Sequence, residues 1–223
     1  MASTVLGENM EKLKKRDVIA ILRNVDPLDA PSIAKILLDA GVKWMEVSLS
    51  EVEQGLACIR SIRNEVKQSE LKLGVGTVSN KIQVDRAIEA GAAFIITPGW
   101  DRDLIRYIRS KGIEVFPGVL TPGDVMQAME EGIEVCKLFP ISVMGFDYVN
   151  SLLGPFPRMK FIGVGGVNLG NYLTCMDKGF YGAGIGGSLV PRGATCDDLE
   201  LIKHRAEQIV KLVKEKDEII DYV

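Results

Sequence analysis

Short apolar runs and amphipathic segments alternate along almost the whole chain, and their order predicts the fold. The first run, Val18-Ile19-Ala20-Ile21-Leu22-Arg23, reads as a strand that ends in a cation. Asp26-Pro27-Leu28-Asp29 marks a turn and a helix start, after which Ile33, Ala34, Ile36, Leu37 and Leu38 recur at helical spacing until Gly41. Trp44-Met45-Glu46-Val47-Ser48-Leu49 alternates instead. Met45, Val47 and Leu49 share one face, and Trp44, Glu46 and Ser48 share the other, so a carboxylate points away from the aliphatic side. A helix over 51–67 leads to a strand over 71–78, where Gly74 and Gly76 predict that something approaches the backbone closely.

The same rhythm continues with a helix over 80–90, a strand over 94–99, a helix over 101–111, a strand over 114–119 and a helix over 121–131. The run Val135-Cys136-Lys137-Leu138-Phe139-Pro140 is the sixth strand. A short helix near 146–152, a strand over 160–167, a helix over 168–178, a strand over 183–190 and a long amphipathic helix over 196–216 complete the pattern. A polar, helix-like stretch over 8–16 precedes it. Gly41, Gly91, Gly112, Gly132 and Gly179 each stand where a helix ends shortly before the next strand, as helix-terminating glycines do. Strict alternation implies a parallel sheet with helical crossovers, and eight units predict closure into a (β/α)8 TIM barrel, one α/β domain over 1–223 with a short N-terminal helix. An open doubly wound sheet is the alternative, though no Rossmann fingerprint occurs.

Composition narrows the function more than the fold. A net charge of −3 gives no electrostatic reason to expect nucleic acid or an anionic membrane. Residues 1–17 are polar and charged, unlike a signal peptide, and no apolar run is long enough to span a bilayer, so a cytoplasmic protein is expected. The four cysteines, Cys58, Cys136, Cys175 and Cys196, have no C-x-x-C spacing and suggest neither zinc nor disulfides. The single histidine, His204, lies among the polar positions of the last helix and excludes any metal site built on several histidines.

Lys137 is the residue that needs an explanation, because it interrupts a run that otherwise reads as a fully buried strand. A buried ammonium either finds a partner or loses its proton, and a neutral amine is a nucleophile toward ketones. Barrel active sites form at the C-terminal ends of strands. There the chain places Arg23, Glu46 with Ser48, Thr77 and Lys137, and on the last two strands the glycine-rich Gly163-Val164-Gly165-Gly166 and Gly184-Ile185-Gly186-Gly187-Ser188. Each residue has a plainer reading: Arg23 pairing a surface acid, Glu46 neutralising Lys137, Thr77 capping a helix, the glycines serving turns. Jointly they describe a cation for a carboxylate, a nucleophilic amine, an acid/base beside it and an oxyanion site, which together suit a Schiff-base lyase.

Seven motifs carry a resemblance over nearly the whole chain: Ala20-Ile21-Leu22-Arg23, Glu46-Val47-Ser48-Leu49, Gly74-Val75-Gly76-Thr77-Val78, Thr97-Pro98-Gly99, Phe116-Pro117-Gly118-Val119, Lys137-Leu138-Phe139-Pro140 and Gly165-Gly166-Val167-Asn168. The chain resembles the 2-keto-3-deoxy-6-phosphogluconate/4-hydroxy-2-oxoglutarate aldolases. The resemblance implies a homotrimeric class I aldolase acting on a small-molecule substrate, with Lys137 as Schiff-base lysine and Glu46 as acid/base. It further implies Arg23, Thr77, Pro98, Phe139 and Val164 around pyruvate, and phosphate at Gly165, Gly166, Gly186, Gly187 and Ser188. The products would be pyruvate and glyceraldehyde 3-phosphate, or glyoxylate from 4-hydroxy-2-oxoglutarate. No metal or organic cofactor is expected, because the iminium supplies the electrophile. Val164 stands where the gluconate-type members resemble one another in having threonine after proline, and Ser142 where they often have glutamate. Members acting on the 6-phosphogalactonate epimer look similar at both positions. Ser50 stands where some members place a phosphate-binding arginine. A phosphosugar isomerase or epimerase and a non-catalytic metabolite-binding barrel remain the alternatives.

Overall fold

Apart from one strand broken in two, each strand is followed by a helix that carries the chain back across the sheet, so successive strands pair in parallel. A computed structural model describes residues 12–220. The strands are β1 (Val18–Leu22), β2 (Trp44–Ser48), β3 (Lys72–Gly76), β4 (Phe94–Ile96), β5 (Glu114–Phe116), β6 (Gly118–Val119), β7 (Val135–Leu138), β8 (Lys160–Val164) and β9 (Gly182–Ile185). The helices are α1 (Ala30–Asp39), α2 (Val52–Glu65), α3 (Lys81–Glu89), α4 (Arg102–Ser110), α5 (Pro122–Glu130), α6 (Ile141–Met144), α7 (Tyr148–Leu153), α8 (Tyr172–Asp177) and α9 (Leu199–Ile220).

The sheet order β5-β4-β3-β2-β1-β9-β8-β7-β6 closes the barrel, because β5 and β6 are the two halves of the predicted fifth strand. Pro117 separates them. Its ring removes the backbone donor, yet its carbonyl still accepts from Lys137 N at 2.9 Å. The next donor, Gly118 N, turns to Thr97 Oγ1 at 3.1 Å. One half of this strand therefore pairs with β4 and the other with β7, where Gly118 registers with Lys137.

Two apolar clusters divide the strand residues by parity. Ala20, Leu22, Met45, Val47, Cys136 and Leu138 face the helices, while Ile19, Ile21, Trp44, Phe94, Phe116, Ile162 and Val164 fill the barrel. Burial on both faces is what a parallel sheet covered by helices requires. All five predicted helix-ending glycines adopt positive φ, from +69° at Gly132 to +103° at Gly179.

Three expectations change. The described part of the predicted opening helix is irregular, and residues 8–11 lie outside the described residues. Arg16 has φ +73° and its N–H bonds Tyr181 O, which ties the segment to the barrel, while Lys14 N bonds the Asp17 carboxylate in a local turn. The predicted helix over 168–178 begins only at Tyr172, since Asn168 Oδ1 accepts from the N–H groups of Gly170 and Asn171 and holds a turn there. The short helix near 146–152 is α7, and an additional one-turn helix, α6, precedes it, separated at Gly145, whose φ is +78°. Among the described residues no helix is long and apolar enough to cross a membrane.

Candidate active site

Strand parity carries the chemistry inward. Trp44 faces the barrel interior, so Glu46 and Ser48, two and four residues on, face the same way. Cys136 and Leu138 face the helices, so Lys137 turns in between them. Glu46 is 2 % exposed and Lys137 6 %. Beneath them Trp44, Phe94 and Phe116 pack as tilted rings at centroid distances of 5.2, 6.0 and 5.7 Å, an apolar floor that closes the barrel below the two ionisable groups.

The alternating glycines of β3 explain how a carboxyl group fits there. A Cβ on Gly74 would stand 2.5 Å from the Phe94 ring, and one on Gly76 would stand 1.7 Å from Glu46 Oε1. Gly76 is the space that Glu46 occupies. Glu46 Oε2 is buried without a hydrogen-bond partner among the described residues, an expensive state for an anion. Burial accordingly pushes the Glu46 carboxyl above the usual carboxylate range, opposed by the charges of Lys137 and Arg23. Burial also pushes the Lys137 amine down, against the pull of Glu46, and the Arg23 charge adds to the lowering. Both shifts run toward the uncharged pair, a neutral amine beside a carboxylic acid that can release a proton.

Lys137 Nζ lies 4.7 Å from the centroid of the Phe139 ring, and Phe139 in turn lines a cavity of about 320 Å³. Ile21, Arg23, Val164, Gly165, Gly166, Asn168, Gly186, Gly187 and Ser188 complete most of its wall. Gly165 and Gly166 have φ of +88° and +98°, and a Cβ on Gly166 would collide with Ser142 at 2.8 Å. Nothing lies within 4 Å of a Cβ built on Gly187. The backbone N–H groups of Gly166, Gly187 and Ser188 bond no protein acceptor among the described residues, which leaves donors for an anion. A larger cavity of about 420 Å³ opens at the N-terminal ends of the strands, lined by Glu114, Phe116, Lys160 and Tyr181 among others. It lies at the other end of the barrel from the Lys137 and Glu46 pair.

Thr77 adopts φ +64°, which is costly for a β-branched residue and is held by its surroundings. Its Oγ1 lies 3.2 Å from Ser48 Oγ, which lies 2.8 Å from Ser50 Oγ, a run of three hydroxyls from the end of β3 across the end of β2.

Residues 10–205 match the family model described as KDPG and KHG aldolase. The chain belongs to that family. It is 30% identical over 208 residues to the 2-dehydro-3-deoxy-6-phosphogalactonate aldolase of Escherichia coli (strain K12), covering 92% of this chain and 97% of the relative. A solved structure titled native KDPGal superposes with a TM-score of 0.83 at 30% identity, over 94% of this chain and all of that one. The KDPG aldolase of Legionella pneumophila, solved with pyruvate captured as a covalent carbinolamine, gives 0.76 at 26% identity over 90% and 94%. As a KDPG/KHG aldolase the chain is an aldehyde-lyase.

In this aldolase the sequence-predicted residues fall into two groups. Arg23, Phe139, Val164, Gly165, Gly166, Gly186, Gly187 and Ser188 line one cavity. Glu46 and Lys137 lie buried inside the barrel, electrostatically coupled to each other and to Arg23. Thr77 and Pro98 do not line that cavity. They sit at the ends of β3 and β4, and Pro98 packs its carbonyl into the space left by Gly118. Sequence reasoning gave no role to Asn168, a wall residue, or to Thr97, whose Oγ1 bonds Gly99 O at 2.8 Å and so braces the loop that carries Pro98. Asn168 was legible only as the last letter of a motif, and Thr97 only as a hydroxyl beside a proline.

Proposed function

We propose that this single-domain aldolase cleaves a 2-keto-3-deoxy-6-phospho sugar acid through a Schiff base on Lys137. The neutral amine adds to the C2 ketone, and Glu46 delivers the proton that lets the carbinolamine lose water and become an iminium. Glu46, directly or through water, then takes the C4 hydroxyl proton. The C3–C4 bond breaks, its electron pair moves to the iminium to form an enamine, and glyceraldehyde 3-phosphate leaves. Protonation at C3 and hydrolysis return pyruvate and the free amine. Arg23 and Thr77 hold the pyruvate carboxylate, with Pro98, Phe139 and Val164 around the carbon skeleton. Gly165, Gly166, Gly186, Gly187 and Ser188 receive the phosphoryl group. The single observation that carries this reading is a lysine 6 % exposed inside the barrel, its amine driven toward neutrality by burial, coupled to a carboxyl group with an unpartnered oxygen.

The test is incubation with pyruvate and borohydride followed by peptide mass analysis. A reduced adduct on Lys137 is expected, and full cleavage activity in Lys137→Ala would overturn the mechanism. Val164 fills the barrel wall without a hydroxyl, and a panel of the two C4 epimers reads what that does to preference. The enzyme is proposed to work as a cytoplasmic homotrimer, and light scattering at three times the chain mass checks the assembly.

A further inference from the structure

Asn168 stands on the wall of the 320 Å³ cavity, and its side-chain oxygen is already committed. Oδ1 accepts from Gly170 N at 2.8 Å and from Asn171 N at 3.2 Å, closing the turn before α8. That engagement fixes which end of the amide is which, because a flipped amide would set its NH2 against two N–H donors. Nδ2 is the end left over. Among the described residues its one hydrogen-bond contact is Gly166 O at 3.5 Å, the limit of a hydrogen bond, and that carbonyl already accepts from Asn171 Nδ2 at 2.9 Å. An amide with two protons, held by its other end and under-used, thus sits beside the unpartnered N–H groups of Gly166, Gly187 and Ser188.

We propose that Asn168 is a specificity-determining residue of this aldolase, donating Nδ2–H to the phosphoryl group of the substrate and thereby selecting phosphorylated over unphosphorylated sugar acids. The inference rests on the phosphoryl site proposed above and adds a side-chain donor to it. A residue here must accept from two backbone N–H groups and donate to an anion with the same side chain. Asparagine does both; aspartate does only the first.

That asymmetry supplies the test. Asn168→Asp keeps the acceptor that holds the turn and turns a carboxylate oxygen toward the anion. Pyruvate release is measured for wild type, Asn168→Asp and Asn168→Ser with phosphorylated and unphosphorylated 2-keto-3-deoxy sugar acids. In Asn168→Asp the KM for the phosphorylated substrate rises about 10- to 100-fold, the loss of a hydrogen bond to a charged group plus like-charge repulsion, with kcat within about threefold. The ratio of kcat/KM for phosphorylated over unphosphorylated substrate falls by about the same factor. Asn168→Ser, which keeps a turn oxygen without adding charge, raises the same KM by about 3- to 10-fold and serves if the aspartate variant does not fold. Equal losses on both substrates, or no change on either while wild type prefers the phosphorylated one, overturn the role of Asn168 alone. A wild type indifferent to phosphorylation overturns the phosphoryl site together with it.

Discussion

Adding one methyl group at Gly76 separates positioning from stability more sharply than removing any catalytic side chain. A Cβ there would lie 1.7 Å from Glu46 Oε1 and 2.2 Å from its Cδ, whereas non-bonded carbon and oxygen need roughly 3.3 Å, so the carboxyl group must move by more than 1 Å. The atoms that collide are the far end of a flexible side chain, so the fold relieves the overlap cheaply. The reaction does not. In the acid/base role proposed for Glu46, a misplacement of about 1 Å costs on the order of 10²-fold, about 2.7 kcal/mol of transition-state stabilisation. Gly76→Ala is therefore expected to lower kcat about 100-fold with a melting temperature close to wild type. Gly74→Ala, two residues earlier on β3, is the control. Its Cβ would meet Phe94 Cγ at 2.6 Å, an atom near the root of a ring packed in the barrel floor, so it costs about 1–3 kcal/mol of stability by overpacking while Glu46 stays in place. The assay is coupled pyruvate release beside thermal unfolding of both variants. A folded Gly76→Ala enzyme with kcat within threefold of wild type, or equal rate losses in the two variants, refutes the claim that Gly76 exists to seat the Glu46 carboxyl group.

Further outcomes follow from the same pair. The native Lys137 amine titrates below its unfolded value, so stability rises with pH between that lowered value and about 10.4, and below the window the native state carries a buried charge. Lys137→Met removes the cost of either burying that charge or giving up its proton on folding, and should raise unfolding free energy at pH 7 by about 1–3 kcal/mol in urea titrations while abolishing borohydride trapping; a less stable variant contradicts the burial argument. Glu46 holds the Lys137 amine up and Arg23 pushes it down, so Glu46→Gln should shift the pH midpoint of Lys137 acylation by a small reagent downward and Arg23→Gln should shift it upward. Shifts of the same sign in both variants would show that the two charges do not act on the amine as described. Val164→Thr restores a hydroxyl on the barrel wall, and is expected to move the ratio of kcat/KM for the gluconate-type over the galactonate-type epimer by about 3- to 10-fold; an unchanged ratio removes this position from stereochemical selection.

Much of this was legible in the sequence because it depends on period alone. The alternation of Trp44, Glu46 and Ser48 against Met45, Val47 and Leu49 fixes one face as soon as the strand is recognised, and the structure puts Trp44 inside the barrel and Met45 outside. Gly74 and Gly76 announced a close approach without saying of what. Their partners, the Phe94 ring and the Glu46 carboxyl group, come from neighbouring strands, and only the register that sets Glu46 opposite Gly74 and Ser48 opposite Gly76 decides which side chain leans into which gap. Thr77 could be named from its motif, but nothing in a threonine signals φ +64°. That conformation belongs to the turn that ends β3, where Thr77 Oγ1 lies 3.2 Å from Ser48 Oγ, and is not a preference of the residue type.

Where the period misled, a specific hydrogen bond decided instead, a local one at Asn168 and a tertiary one at Gly118. The apolar period would begin α8 at residue 168, although Asn168-Leu169-Gly170-Asn171 is rich in turn formers. Asn168 instead spends its oxygen on two N–H groups and its position on the cavity wall, which delays the helix to Tyr172. Pro117 has the same logic. A proline inside a strand ought to demote it, yet here the missing donor falls where the barrel changes partner, so the carbonyl of Pro117 and the N–H of Gly118 can serve β7 and Thr97 separately. Closure of the barrel at that point sets Lys137 in register with Gly118, a residue with no side chain to compete for the interior. What the bare position at 118 admits is the loop after β4: a Cβ there would meet the Pro98 backbone at 2.5 Å, so the break in the fifth strand and the seating of Pro98 have one cause.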